Sequence, residues 1–255
     1  MILDKHNIAQ RFARAGQSYQ RQAVVQQKIA QHLAEQIAVF CPESWSKVFE
    51  MGCGSGYLTR QLLNQRSLPH LYLNDLYSQV QLHFQDLSSV QWYLGDIEQI
   101  RWPDALDAIV STSALQWMAD LDAVFRHCYA SLLPQGALCF SSFGPENLLQ
   151  IKQLTGQGLH YFTLEQLREK LQAAGFEILY LEQQRQQLYF AQPQAVLQHL
   201  KATGVTATNR SYRWTKQSLQ QFYRGYQQFS TTGDQGEVLY PLTYHPIYCI
   251  ARRRV

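Results

Sequence analysis

The sequence predicts an α/β fold: a parallel sheet with helices on both faces, helices in front of it, and a small helical insertion before its last strand. Three observations predict this. Short strand-like runs alternate with helical stretches between Lys47 and Phe143. The first of those runs ends in three closely spaced glycines, and the second and third close on aspartates.

The elements follow in order. From Asn7 to Phe40, Ile8, Phe12, Ala15 and Tyr19, then Val24, Ile29, Leu33 and Ile37, recur at helical spacing, with Gly16 as a bend between two helices. After Pro42 the period shortens. Lys47–Met51 reads as a first strand running into Gly52-Cys53-Gly54-Ser55-Gly56, and Tyr57–Asn64 as a helix. Leu71–Asp75 is a second strand, Val90–Leu94 a third closed by Gly95-Asp96, and Leu106–Ser111 a fourth. A helix over Leu121–Leu132, a turn at Leu133-Pro134-Gln135-Gly136 and a fully apolar strand over Ala137–Phe143 come next. Thr163 with Gln166 forms a capping-box pattern that opens a helix, and Gly175 closes it. Phe176–Glu182 and Gln187–Phe190 are β-like, Pro193–Ala202 and Thr215–Phe229 helical, and Tyr248–Ala251 a last strand. The expected organisation is an N-terminal helical lid over 1–40, a core over 41–190, a helical cap over 191–240, and 241–255 as the core's last strand.

Bulk properties narrow the class. The 255 residues are 46% hydrophobic and 16% charged, enough for one large buried core. Net charge is only +3, which gives no general case for a nucleic-acid partner. Its distribution is uneven. From His199 onward stand Lys201, Arg210, Arg213, Lys216, Arg224 and Arg252–Arg254 against only Asp234 and Glu237, a balance suited to an acidic partner. The five cysteines are widely spaced with no CxxC pair or Cys/His cluster, so neither a metal site nor a disulfide framework is expected. Met1–Gln10 lacks the pattern of a signal peptide and no window is apolar enough for a membrane span, so the expected compartment is the cytoplasm.

A strand feeding three glycines makes the backbone turn sharply where something large approaches it. A dinucleotide loop would need glycine at 57 or 59, where Tyr57 and Thr59 stand. The pattern present is instead Glu50-x-Gly52-x-Gly54-x-Gly56. A carboxylate at Glu50 repels a pyrophosphate and attracts an ammonium. Asp75 is placed to accept both hydroxyls of a ribose, and Asp96 to accept an exocyclic amine, with Ile97 against the ring. Amine, close backbone approach, diol and exocyclic amine together describe S-adenosyl-L-methionine, with S-adenosyl-L-homocysteine as product. Cys53, Leu76 and Ser113 flank these positions and complete the expected cofactor set. From Lys47 to Phe143 the arrangement matches the Rossmann-like class I methyltransferases.

A finer resemblance spans nearly the whole chain. Phe12-x-Arg14-Ala15-x-x-x-Tyr19, Leu115-Gln116-Trp117, Phe143-Gly144-Pro145-Glu146, Leu200-Lys201-x-x-Gly204-x-x-x-Asn209 and Tyr240-Pro241-Leu242-Thr243-Tyr244-His245 together resemble the malonyl-[acyl-carrier protein] O-methyltransferases of biotin synthesis. The loop from Gly156 to Phe162 and Ser55 depart from the family pattern. The resemblance implies methyl transfer to the free carboxylate of a malonyl group on the phosphopantetheine of acyl-carrier protein, with no nucleic-acid or membrane partner. Such a carboxylate, with a pKa of about 3 to 4, is already the nucleophile at neutral pH, so no general base is expected. The task is alignment and exclusion of water. Binding of that carboxylate is assigned to Tyr19, Arg14, Lys201 and Tyr244, with Gln116, Trp117 and His245 shaping the substrate pocket. Methylation of another small carboxylic acid or a phenol shares every cofactor residue and is the competing reading.

Overall fold

The computed structural model describes Lys5, residues 23–203 and residues 214–254; Arg14, Tyr19, Gly204, Asn209, Arg210 and Arg213 lie outside the described residues. Two sheets organise the chain. Seven strands form the larger in the order β3-β2-β1-β4-β5-β10-β6: Val90–Leu94, His70–Asp75, Lys47–Met51, Leu106–Thr112, Leu132–Phe143, Pro246–Arg253 and Phe176–Gln183. The first five are parallel neighbours; β10 runs antiparallel to both β5 and β6. The α/β class read from the sequence is therefore the fold of the protein, with one reversed strand near its edge.

Period-two patterning splits the core into two layers. Val48, Ala108, Val110, Cys139 and Ile250 face α1 (Val24–Phe40) and α2 (Tyr57–Gln65), where Ile29, Leu33, Leu58 and Leu62 are buried. Phe49, Met51, Ile109, Leu138, Phe140 and Cys249 face the other way, onto α3 (Leu121–Ser131) and α5 (Leu164–Ala173) through Val124, Phe125, Cys128, Leu167 and Leu171. Thr163 accepts from the Gln166 N–H and Gln166 returns the bond, so the capping box at the start of α5 is formed. All five cysteines are free, four of them buried and Cys41 half-buried.

Three stretches differ from the sequence reading. The Leu133–Gly136 turn lies inside β5: Leu132 pairs with Leu106, Ala137 with Ala108, and the intervening residues bulge out with Gln135 at φ 66°. A short helix, α4 (Leu149–Thr155), occupies a region to which the sequence reading gave no element. The cap is not purely helical either. Between β6 and β10 come β7 (Gln186–Phe190), α6 (Pro193–Ala202), α7 (Lys216–Tyr226), β8 (Thr231–Thr232) and β9 (Val238–Tyr244), and the three strands form their own sheet in the order β7-β9-β8. Gln187–Phe190, expected in the core, pairs instead with Tyr240–Thr243, of which Pro241–Thr243 were expected with the last core strand. Pro241 is tolerated within β9 because β8 pairs only with Val238 and Leu239, so beyond them that side of β9 asks for no ladder N–H.

Candidate functional site

The strand order reverses direction at β1: the chain goes on to β2 and β3 on one side and to β4 and β5 on the other. Such a switch point leaves a crevice at the carboxyl ends of the strands. Here the crevice is a cleft of about 1100 Å³, open solvent included. Its wall carries Gly52, Cys53 and Gly54 from the first loop, Asp75 at the end of β2 and Leu76 after it, Asp96 and Ile97 after β3, and Ser113 after β4. The sequence reading expected all of these at one ligand. It missed Gln26, Tyr57, Met118 and Lys5, which share the wall.

The loop is held by its own backbone. Gly52, Gly54 and Gly56 have φ of 66°, 52° and 80°, conformations in which a side chain is strained. The Cys53 N–H donates to the Asn74 carbonyl at 2.9 Å and the Gly54 N–H to Asp75 Oδ2 at 2.8 Å. Asp75 Oδ1 accepts the Leu76 N–H at 2.7 Å, so this carboxylate both shapes the loop and faces the cleft. Burial pushes the Asp75 carboxyl up to about 6, despite the N–H groups of Gly54, Leu76 and Tyr77 that favour its charge.

Glu50 sits elsewhere than its charge suggested. It is fully buried and absent from the cleft wall, with Thr59 Oγ1 of α2 donating to its Oε2. Glu50 shares its strand face with Val48, the face that α1 and α2 cover, and its Oε1 has no hydrogen-bond partner among the described residues. Burial pushes it up to about 8, against the Thr59 hydrogen bond, with the charge of Asp75 adding to the rise.

Asp96 is already engaged: Lys5 Nζ lies 2.6 and 2.7 Å from its two carboxylate oxygens. Beyond β4, Ser113 takes φ 54°, unusual for a residue with a Cβ, and Gln116 Nε2 donates to its carbonyl at 2.6 Å. Gln116 thus braces the Ser113 turn from outside the cleft wall, while Trp117 is on the wall. Of the positions expected at the substrate carboxylate, Tyr244 is buried, with its hydroxyl 2.8 Å from His199 Nε2. Lys201, two residues from His199 on α6, is exposed and therefore turns away from that contact. His245 packs its ring on Gly144, where a Cβ would come within 2.7 Å, and accepts the Glu146 N–H at Nδ1. It locks the end of β5 and is not on the cleft wall.

The residues present fit an S-adenosylmethionine-sized ligand with an amino-acid arm. Among the described residues, the buried Gln26 Oε1, Ser55 Oγ and Ser113 Oγ face no hydrogen-bond partner, and all three residues line the cleft around the loop. Buried polar atoms without partners are rare in folded proteins, and at a cleft wall they mark where a ligand's polar groups belong. Gly54 adds clearance, since a Cβ built there meets no atom within 4 Å. Among the described residues no group of three His, Cys, Asp or Glu is placed to hold a metal ion, and no helix is long and apolar enough to cross a membrane.

Comparison with known proteins agrees with this geometry. A methyltransferase-domain family profile matches residues 18–181. A malonyl-[acyl-carrier protein] O-methyltransferase of Acinetobacter baylyi is 49% identical over 98% of this chain and 98% of its own length. One of Haemophilus influenzae is 40% identical over 98% of this chain and 95% of its own. Among solved structures, an S-adenosylmethionine-dependent methyltransferase of Mesorhizobium loti superposes with a TM-score of 0.53 at 16% identity, covering 86% of this chain and 96% of that one. The chain belongs to the malonyl-[acyl-carrier protein] O-methyltransferase family, within the S-adenosylmethionine-dependent methyltransferases.

Proposed function

We propose that this chain methylates the free carboxylate of a malonyl thioester carried by acyl-carrier protein, as the names of its relatives state for them. The observation that supports this most directly is full-length similarity, 49% over 98% of the chain, extending beyond the shared cofactor core into the cap and β9. In this reading Asp75 receives the ribose hydroxyls, Asp96 the adenine amine, and Gln26, Ser55 and Ser113 the amino-acid arm. The bound cofactor supplies an electrophilic methyl on a sulfonium. The chain's own task is to hold a carboxylate oxygen in line with it and to keep water out. Residues 1–22, before α1, serve as lid and the segment from 191 to 240 as substrate cap, with Trp117 on the shared wall and Tyr19 and Arg14 at the malonyl group; the Tyr244 hydroxyl is taken by His199, and Lys201 faces outward. The esterified end is then uncharged, which lets chain-elongating enzymes treat it as an ordinary acyl terminus.

The test is mass spectrometry of malonyl-acyl-carrier protein after incubation with the enzyme and S-adenosylmethionine, beside free dicarboxylic acids and phenols. One added methyl on the carrier-bound malonyl group is expected. Methylation confined to the free acids or phenols would overturn the substrate assignment.

Charge placement sharpens the partner surface. Arg252 pairs with Ala137, just past the bulge in β5, whereas the cleft opens at the carboxyl end of that strand, and Arg252 also bonds Glu177 at 2.7 Å. Arg252–Arg254 therefore belong to the far end of the sheet and not to a docking face at the cleft. Lys201, Lys216 and Arg224, carried by α6 and α7, remain as the described cations of the cap. Turnover of the carrier-bound substrate is expected to fall more steeply between low and physiological salt than turnover of malonyl-coenzyme A. Lys201→Glu with Lys216→Glu is expected to reduce that difference, while Arg254→Glu leaves it intact. Equal salt slopes for both substrates would remove the electrostatic docking face.

A further inference from the structure

Lys5 reaches across 91 positions of sequence to place its ammonium between two acids at the adenine end of the cleft. Nζ donates to both oxygens of Asp96, at 2.6 and 2.7 Å, and to Glu98 Oε2. The three side chains are 22%, 15% and 14% exposed, so the triad is largely withdrawn from water. Glu98 is fixed in turn: its Oε1 accepts the Asp120 N–H at 2.7 Å and its Oε2 the Ala119 N–H at 3.0 Å. Those backbone bonds give Glu98 no freedom to leave, and it holds the ammonium beside Asp96.

The hydrogen-bond count of Asp96 decides what this arrangement does. An ionised carboxylate offers about four acceptor sites. Lys5 takes two and the Glu98 N–H, 3.1 Å from Oδ1, takes a third. One site, on Oδ2, has no partner among the described residues, and Asp96 lines the cleft. A carboxylate accepts hydrogen bonds and does not donate them. It suits an incoming N–H and repels a carbonyl oxygen. Without Lys5, two acids two residues apart would face each other in a poorly solvated corner. Rotation of Asp96 would then relieve them, and a carboxylate turned from the cleft no longer discriminates between the two partners.

We propose that Lys5 is a positioning residue for cofactor selectivity. It keeps Asp96 aimed, so that the cleft distinguishes a purine carrying an amine at position 6 from one carrying a carbonyl. This rests on the reading that Asp96 meets the adenine amine. Because Lys5 acts through Asp96, its removal lowers selectivity as well as affinity, whereas a purely structural contact lowers affinity for every ligand alike.

The experiment is calorimetric titration of the full chain and of its Lys5→Met, Lys5→Arg and Asp96→Asn variants with S-adenosylhomocysteine and with its 6-oxo analogue, S-inosylhomocysteine. The unmodified protein is expected to prefer the amine by at least tenfold. Lys5→Met is expected to weaken S-adenosylhomocysteine about tenfold and bring the preference to threefold or less. Lys5→Arg keeps the preference, and Asp96→Asn loses it. An equal loss for both ligands in Lys5→Met, or no change in either, overturns the proposal for Lys5 and leaves Asp96 in place. An unchanged preference in Asp96→Asn overturns the amine reading itself, and the proposal with it.

Discussion

Replacing Asp75 by alanine is expected to weaken S-adenosylhomocysteine binding by at least about 100-fold, through two losses that occur at one carboxylate. Its Oδ2 accepts the Gly54 N–H and its Oδ1 the Leu76 N–H, both at the cleft. Truncation leaves those donors buried and unpaired, at roughly 1–3 kcal/mol each. It also removes the acceptor for the ribose diol, where a hydrogen bond to a charged group contributes about 1.5–3 kcal/mol. Asp75→Asn keeps one oxygen for a backbone N–H and is expected to weaken binding only about tenfold, since 1.4 kcal/mol is one decade. Isothermal titration checks both, and near-normal affinity in the alanine variant would remove Asp75 from the cofactor site.

The same carboxylate predicts a pH dependence whose sign is fixed. Burial raises the folded-state pKa of Asp75 to about 6, above the unfolded value of about 3.9. The folded chain therefore holds this proton more tightly, and stability falls as pH rises from about 4 through about 6. Ribose hydroxyls donate to the ionised form, so cofactor binding favours deprotonation. The dissociation constant is thus expected to rise as pH drops below about 6, with proton release on binding visible as a buffer-dependent heat.

These expectations also show which parts of the site local sequence could carry. The glycine triplet, Asp75 and Asp96 were legible because each is defined by where a strand ends, and strand ends are short-range features. The Thr163–Gln166 capping box was legible for the same reason. Glu50 was found by its charge, but not its burial beneath the helices with Thr59 on its Oε2. Its facing follows from its alternation with Val48 and from the helix that covers that face, a question of layers that a motif does not pose. Lys5 left no trace in any motif, since its role exists only once its side chain meets acids 91 and 93 residues away. The sheet of the cap joins Gln186–Phe190 to Tyr240–Tyr244, segments far apart in the chain, so no local pattern carries their pairing.

The glycines of the loop separate what the fold needs from what the ligand needs. At Gly52 the fold is the constraint: φ is 66°, and an added Cβ would stand 2.6 Å from the Cβ of Ala114 on the far bank of the switch point. Left-handed backbone costs about 1–2 kcal/mol for a residue with a Cβ, and overpacking adds about 1–3 kcal/mol. Relief requires the β1 and β4 loops to spread, and the Ser113 turn that Gln116 braces lies directly beside the contact. Gly52→Ala is therefore expected to lower the melting temperature and to cost at least about 100-fold in S-adenosylhomocysteine affinity, the equivalent of roughly 3 kcal/mol. Ala114→Gly in the same chain removes the clash and should recover most of the affinity. At Gly54 φ is 52° and no protein atom lies within 4 Å of an added Cβ. Gly54→Ala thus carries the backbone cost without a collision inside the protein. If the ligand's amino-acid arm lies against this turn, affinity falls by at least about tenfold, 1.4 kcal/mol, while melting shifts less than in Gly52→Ala. Wild-type affinity in Gly54→Ala would mean that nothing approaches the loop there, and the cofactor pose would have to move away from it.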